Sequence, residues 1–190
     1  NIDKLDTIRL SRENIHKSKI SDKNINSFLN KLSEHNFDKI SDKIKLYISA
    51  HNISNTVIID NIINYCLQQY SYSHLYIKLM KNLFNKQTEF EHREYINSFI
   101  SKYEYPTFDT SDVYESNKIL NRFFGFSALI ANLENYDIVY NSEKKINEMI
   151  NYYNKLSDND IKYKYIQSIY IILKTLYNED SLPHKYLVII

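Results

Sequence analysis

Six histidines and one cysteine are the side chains in this sequence best suited to metal, proton or nucleophile chemistry. Their spacing works against such uses. His16, His35, His51, His74, His92 and His184 are far apart, and none sits in an HExxH pattern or in another close ligand pair. Glu91 and His92 are adjacent, so they do not share a helix face. Cys66 lies among Ile62, Ile63 and Leu67, where a cysteine behaves as a small buried hydrophobe. A single cysteine also excludes an internal disulfide and a zinc site built from several thiolates. The acidic pairs Glu89/Glu91 and Asp158/Asp160 fall near predicted helix starts, where carboxylates favour the helix dipole. With one glycine in 190 residues, the phosphate-cradling loops of nucleotide enzymes are missing. The expectation is a protein that is not an enzyme, with no metal and no cofactor.

Basic residues interleaved with tyrosine are the remaining candidates. Lysines contact backbone phosphate, and aromatic rings stack bases. Three patches have this mixture: Lys78, Lys81, Lys86 and Arg93; Lys144 and Lys145; and Lys155, Lys162, Lys164 and Lys174. Lys78, Lys81, Lys162 and Lys164 are the expected RNA contacts. Acidic residues intervene, as they do on any solvated helix face. Lys+Arg 24 against Asp+Glu 23 excludes a surface built throughout to neutralise phosphates, but leaves room for a local basic face.

The elements that must position these residues read as helices. Apolar side chains recur every third or fourth position. Ile25, Phe28, Leu29 and Leu32 form one short stripe, and Phe37, Ile40, Ile44, Tyr47 and Ile48 form the next, opened at Ser33. Ile58 to Leu67 follows a cap at Asn55 or Thr56, and Leu75 to Phe84 follows one at Ser71 or Ser73. A helix from about Thr88 carries Phe90, Ile96, Phe99, Ile100 and Tyr103. Residues 105–111 read as a loop, then Tyr114 to Leu133 as a helix apolar on more than one side, and therefore central. Ser142 caps a helix with Ile146, Met149, Ile150 and Tyr153. Ile161 to Leu176 makes the last long helix, and Ser181-Leu182-Pro183 begins one more. Residues 1–20 read as a lead-in segment and 21–190 as one domain. Short polar turns make neighbours antiparallel, so the fold class is all-α, a closed bundle or a HEAT-like stack of hairpins. No apolar run reaches the length of a membrane span.

One stretch carries a resemblance. Phe28-Leu29-Asn30-Lys31-Leu32-Ser33-Glu34-His35-Asn36-Phe37 is similar to the opening of the middle domain of the eukaryotic translation initiation factor 4G family. That hallmark reads Leu-Asn-Lys-Leu-Thr/Ser, three variable residues, then Phe. Lys118 to Leu133 stands where the family has a basic run and an aromatic helix, with Ala128 and Leu129 in place of Gly and Glu. Tyr165 to Leu176 resembles the helix before the family's final repeat. The resemblance covers about residues 22–180, and the 85–115 region is shorter than in many members.

The resemblance implies a crescent of HEAT-like hairpins that binds a DEAD-box RNA helicase of the initiation factor 4A type and touches RNA. It implies helicase contacts at Asn30, Lys31, Ser33 and Asn36 for one lobe. Lys118 and Arg122, with the helices around Lys162, fall to the other lobe or RNA. Leu29, Leu32 and Phe37 fall to packing. It further implies a cytoplasmic place of action (the host cytoplasm for a viral protein), other initiation factors bound outside this chain, and no DNA or membrane partner. Related scaffolds of mRNA decay, deadenylation or splicing, or an interaction or inhibitor module, are the alternatives. The excess of Ile, Asn, Lys and Tyr marks an adenine- and thymine-rich genome, such as a large DNA virus or a parasite has. Asn1 at the start and the apolar run Leu187 to Ile190 at the end read as the edges of a piece cut from a longer chain.

Overall fold

The computed structural model describes residues 23–84, 89–108 and 111–177. The lead-in and the helix expected from Ser181 lie outside the described residues. Those described form eight α-helices and no strand: α1 (residues 23–29), α2 (Phe37–His51), α3 (Asn55–Gln68), α4 (Ser73–Leu83), α5 (Glu89–Ser101), α6 (Val113–Asn135), α7 (Ser142–Tyr153) and α8 (Asn159–Leu176). No helix among them is long and apolar enough to cross a membrane. The chain divides into two compact units, residues 1–61 and 62–190, with the boundary inside α3.

In the first unit, Ile25 and Leu29 of α1 are buried, as are Leu32, Phe37, Ile40 and Ile44. Phe28 meets Tyr47 edge-on at 5.9 Å, and Asn24 Nδ2 donates to the Tyr47 hydroxyl at 3.0 Å. The expected opening at Ser33 is refined: a 3-10 turn, Glu34–Asn36, intervenes and α2 proper begins at Phe37. It ends at Asn52, whose φ of 51° is a left-handed conformation that asparagine tolerates, and whose N–H returns to the Ile48 carbonyl.

The second unit is arranged around α6. From Phe123 to Leu133 every residue except Phe124 is buried, so this half of the helix has no solvent face. It packs most extensively on α8 and then on α4. Small side chains bring α8 close: the Ser127 and Ser168 hydroxyls, both buried, hydrogen-bond each other. The single glycine sets another approach. A Cβ at Gly125 would lie 2.4 Å from the Leu67 carbonyl oxygen and 2.5 Å from its Cα. Both obstacles are backbone, so only glycine fits where α6 meets the end of α3.

Side-chain caps set the starts of α6 and α8. The Asp112 carboxylate accepts from the Tyr114 and Glu115 N–H groups, and Asp158 accepts from those of Asp160 and Ile161. Three expected starts shift. The Ser54 carbonyl, one residue before the expected cap of α3, accepts the Ile58 N–H at 3.4 Å. A 3-10 turn, Tyr70–Tyr72, precedes α4. Ser142 is the first residue of α7 rather than its cap, and its N–H donates to Glu134 Oε2 at 3.1 Å. Tyr114, expected on the apolar face of α6, is 73% exposed because it lies in the first turn, before the helix enters the core.

Gly125→Ala is expected to destabilise the protein by roughly 2–3 kcal/mol, read as a lowered urea midpoint, because backbone cannot yield to the added methyl. Cys66 is wholly buried, and burial pushes its thiol up to about 12. An aromatic disulfide reagent is expected to leave it unlabelled in the native protein and to label it fully in denaturant.

Candidate partner-binding surfaces

The turn between α1 and α2 collects Asn30, Lys31, Ser33 and Asn36. Asn30 and Lys31 are exposed, and Ser33 and Asn36 are half-buried. The Asn36 side chain is a clamp. Its Nδ2 donates to the Lys31 carbonyl at 2.7 Å, and its Oδ1 accepts from the Ser33 N–H at 2.9 Å. Two of the four expected contact residues therefore fix the turn, and two present their side chains to solvent. Beneath them Leu29, Leu32 and Phe37 are buried, the packing role expected of them.

The four lysines expected to meet RNA lie on two helices, Lys78 and Lys81 on α4 and Lys162 and Lys164 on α8. Lys81 Nζ donates to the Tyr136 carbonyl at 2.7 Å, and an Arg93 guanidinium nitrogen donates to the Asp137 carbonyl at 2.8 Å. These cations from α4 and α5 neutralise the carbonyl-rich end of α6. Lys78, on the same helix as Lys81, is half-buried. On α8, Lys162 lies over the Tyr153 ring at 5.4 Å and Lys164 over the Phe108 ring at 4.3 Å.

Phe108 closes an aromatic seam that holds residues 103–108 against α6, α7 and α8. Tyr103 stacks on Phe126 at 3.5 Å, Phe123 meets Tyr165 at 4.9 Å, and Tyr152 stacks on Tyr165 at 5.7 Å. Phe108 itself has φ 59°, a costly conformation for a bulky residue. Its ring is held between Phe123 and Lys164. Beside the seam lies an ionic cluster that takes in Lys145, expected with Lys144 on a basic face but buried here. Lys145, 4% exposed, pairs with Glu148 at 2.6 Å, and the Tyr105 hydroxyl donates to the same carboxylate at 3.1 Å. Burial pushes Glu148 up, but the Lys145 hydrogen bond and charge, with Tyr105 and Lys144, outweigh it and leave the carboxyl below its ordinary value. Burial, reinforced by Glu148, raises the Tyr105 phenol far above its usual range. An i,i+3 Lys–Glu spacing was the available signal, but surface pairs share it.

Lys118 and Arg122 lie on α6 and line one groove of about 420 Å³ with Gln68, Tyr114, Asn117 and Asn121. Lys118 makes an exposed pair with Glu115 at 3.2 Å. Burial pushes the Tyr103 phenol up to about 12, and the charge of half-buried Arg122 opposes the rise. Among the described residues no group of three or more His, Cys, Asp or Glu side chains is placed to hold a metal ion.

Comparison with known protein families, curated proteins and solved structures finds no match to this chain.

Acidification is expected to remove stability in two windows. Burial, opposed by Glu91, holds His92 below its ordinary 6.5. The unfolded chain therefore takes that proton first, and stability falls as pH drops below about 6.5. Glu148 lies below its ordinary 4.5, so its contribution is present above that value and is lost as pH falls through the folded one. Urea midpoints between about pH 3 and pH 8 check this, with His92→Gln removing only the upper window.

Proposed function

We propose that the chain is a non-catalytic scaffold, a stack of antiparallel helix hairpins akin to the middle domain of the initiation factor 4G family. Its proposed partner is a DEAD-box RNA helicase of the initiation factor 4A type. The observation that carries the reading is the α1–α2 turn. The six matching residues divide into a buried set, Leu29, Leu32 and Phe37, an exposed pair, Asn30 and Lys31, and half-buried Ser33. Asn36 holds that turn in one conformation. Fixed polar groups of this kind lower the ordering cost of docking.

Such a scaffold biases a hinged partner when it binds one arrangement of the lobes more tightly than another. Nucleotide hydrolysis then stays with the helicase. The chemistry-bearing side chains support this division of labour. Cys66 is buried, His92 packs on Phe84 at 4.1 Å, and Lys145, Glu148 and Tyr105 hold one another. In this reading the protein works in translation initiation in the cytoplasm, with other initiation factors bound through regions beyond the chain.

A 4A-type helicase titrated with the chain tests this through binding and RNA-stimulated ATP hydrolysis. The expected result is a complex at micromolar or lower concentration and a faster ATPase. Combined Asn30→Ala and Lys31→Glu substitutions are expected to weaken it at least tenfold, about 1.4 kcal/mol, without changing the unfolding midpoint. No complex at micromolar concentration and no change in rate contradict the proposal. Tighter binding to a helicase of mRNA decay, deadenylation or splicing moves the scaffold to that process.

A further inference from the structure

Where α6 gives way to α7 the surface carries a recess of about 650 Å³. Glu134, in the last turn of α6, forms one side of it, and Tyr140 and Asn141 of the following turn form its edge. The first turns of α7 complete it with Ser142, Glu143 and Lys144, then Glu148. The start of α7 is already met by an anion of the protein's own. Glu134 Oε2 accepts the Ser142 N–H at 3.1 Å. Glu148 Oε2 takes the Lys145 ammonium at 2.6 Å and the Tyr105 hydroxyl at 3.1 Å. In both carboxylates the other oxygen, Oε1, has no hydrogen-bond or ion-pair partner among the described residues. Ser142 lines the recess, is 1% exposed, and its hydroxyl oxygen has no hydrogen-bond partner among the described residues. A buried hydroxyl without a partner destabilises a fold, and beside a recess it marks a place for a ligand.

We propose that this recess binds a linear polyamine, a flexible chain of ammonium groups joined by methylenes. The unused capacity of Glu134 Oε1, Glu148 Oε1 and the Ser142 oxygen is that of acceptors. An ammonium offers three donors and no acceptor, so it complements such a set. The charges agree. Glu134, Glu143 and Glu148 carry three negative charges. Lys144 on the edge and Lys145, which holds Glu148, carry two positive ones, so one negative charge is left over. The hydrogen bond to Asp137 is the first cause that raises the Tyr140 phenol above its usual range, and the Asp137 and Glu134 charges add to it against Arg93. A negative field at the mouth acts in that direction. Tyr140 is 62% exposed, and its ring face is open to an ammonium or to the methylenes between two of them. The volume lies in the range of small-ligand sites. A divalent metal ion is less well matched, because no group of three or more His, Cys, Asp or Glu among the described residues is placed to hold one. A lysine side chain of another protein presents the same ammonium, and the experiment separates the two sources.

The site does not rest on the scaffold reading, and its test contains neither helicase nor RNA. Spermidine is titrated into the whole chain in a calorimeter at two salt concentrations. The expected dissociation constant is on the order of 100 μM at low salt. It is expected to rise severalfold at about 0.15 M ionic strength, as the exposed carboxylates are screened. An uncharged diol of matching length is expected not to bind. Glu134→Gln and Glu143→Gln are each expected to weaken spermidine about fivefold. Glutamine at 134 keeps a carbonyl oxygen for the Ser142 N–H. Ser142→Ala removes one acceptor and is expected to weaken binding about threefold. Lys144→Ala is expected to tighten it about threefold, a direction that loss of structure does not produce. Tyr140→Ala is expected to weaken it about threefold and Tyr140→Phe to retain it, since the ring face makes the contact. Glu115→Gln, 19 positions before Glu134 and so about 28 Å away along α6, is the control and is expected to change nothing beyond error.

Each variant is checked by thermal unfolding without ligand, which changes at exposed Tyr140 and Glu143 are expected to leave unaltered. No spermidine binding at millimolar concentration overturns the proposal. So does binding that Glu134→Gln and Glu143→Gln leave intact. Magnesium ion bound as tightly as spermidine, and lost in the same variants, overturns it in favour of charge alone. A lysine-rich peptide that binds at least tenfold more tightly than spermidine, and is weakened by the same variants, also overturns it and assigns the recess to a protein side chain.

Discussion

The closest constraint in the second unit is the contact of one glycine with backbone. Where α6 passes the end of α3, there is no room for even a methyl group between Gly125 and Leu67. That approach sets the depth at which α6 lies, and its consequences run in both directions along the helix. Toward the carboxy terminus, residues 123–133 are buried except Phe124, with Ser127 hydrogen-bonded to Ser168 of α8. Toward the amino terminus, the helix emerges and carries a stripe of polar side chains beside Gln68. Lys81 and Arg93 then neutralise its far end, and Glu134 hands the chain on to α7 by accepting the Ser142 N–H. One helix thus links the core to the surface groups, so those groups inherit its rigidity.

The distribution of reactive side chains follows the same logic. Cys66 and His92 are buried, and Glu148 is paired with Lys145. Burial keeps the Cys66 thiol protonated, and Lys145 keeps Glu148 ionised. Asn30 and Lys31 at the α1–α2 turn, and Gln68, Asn117, Lys118 and Asn121 at the α6 groove, are exposed.

Much of the fold was legible because its signal is periodic. Ile58, Ile59, Ile62, Ile63, Cys66 and Leu67 announce a helix with one buried face, and all six are buried. The apolar surplus of residues 123–133 announced a central helix for the same reason. Helix starts were less legible, since a cap depends on which oxygen reaches a free N–H, and several polar residues compete at each turn. Glu134, eight residues from the N–H it accepts, leaves no local pattern at Ser142. The fate of the lysines was not legible at all. Lys81 and Tyr136 are 55 positions apart, and only the packing of α4 beside the end of α6 brings them together. The groove followed the same rule in reverse: the stripe on α6 is visible in the sequence, but Gln68 joins it only through the glycine contact.

Native-state amide hydrogen exchange tests the claim that α6 is the organising element most directly. The account predicts that amides of residues 123–133 exchange most slowly in the second unit, and only through global unfolding, with free energies equal to the equilibrium stability. Exchange of those amides through a local opening, at a free energy below that of α7 or α8, would contradict it.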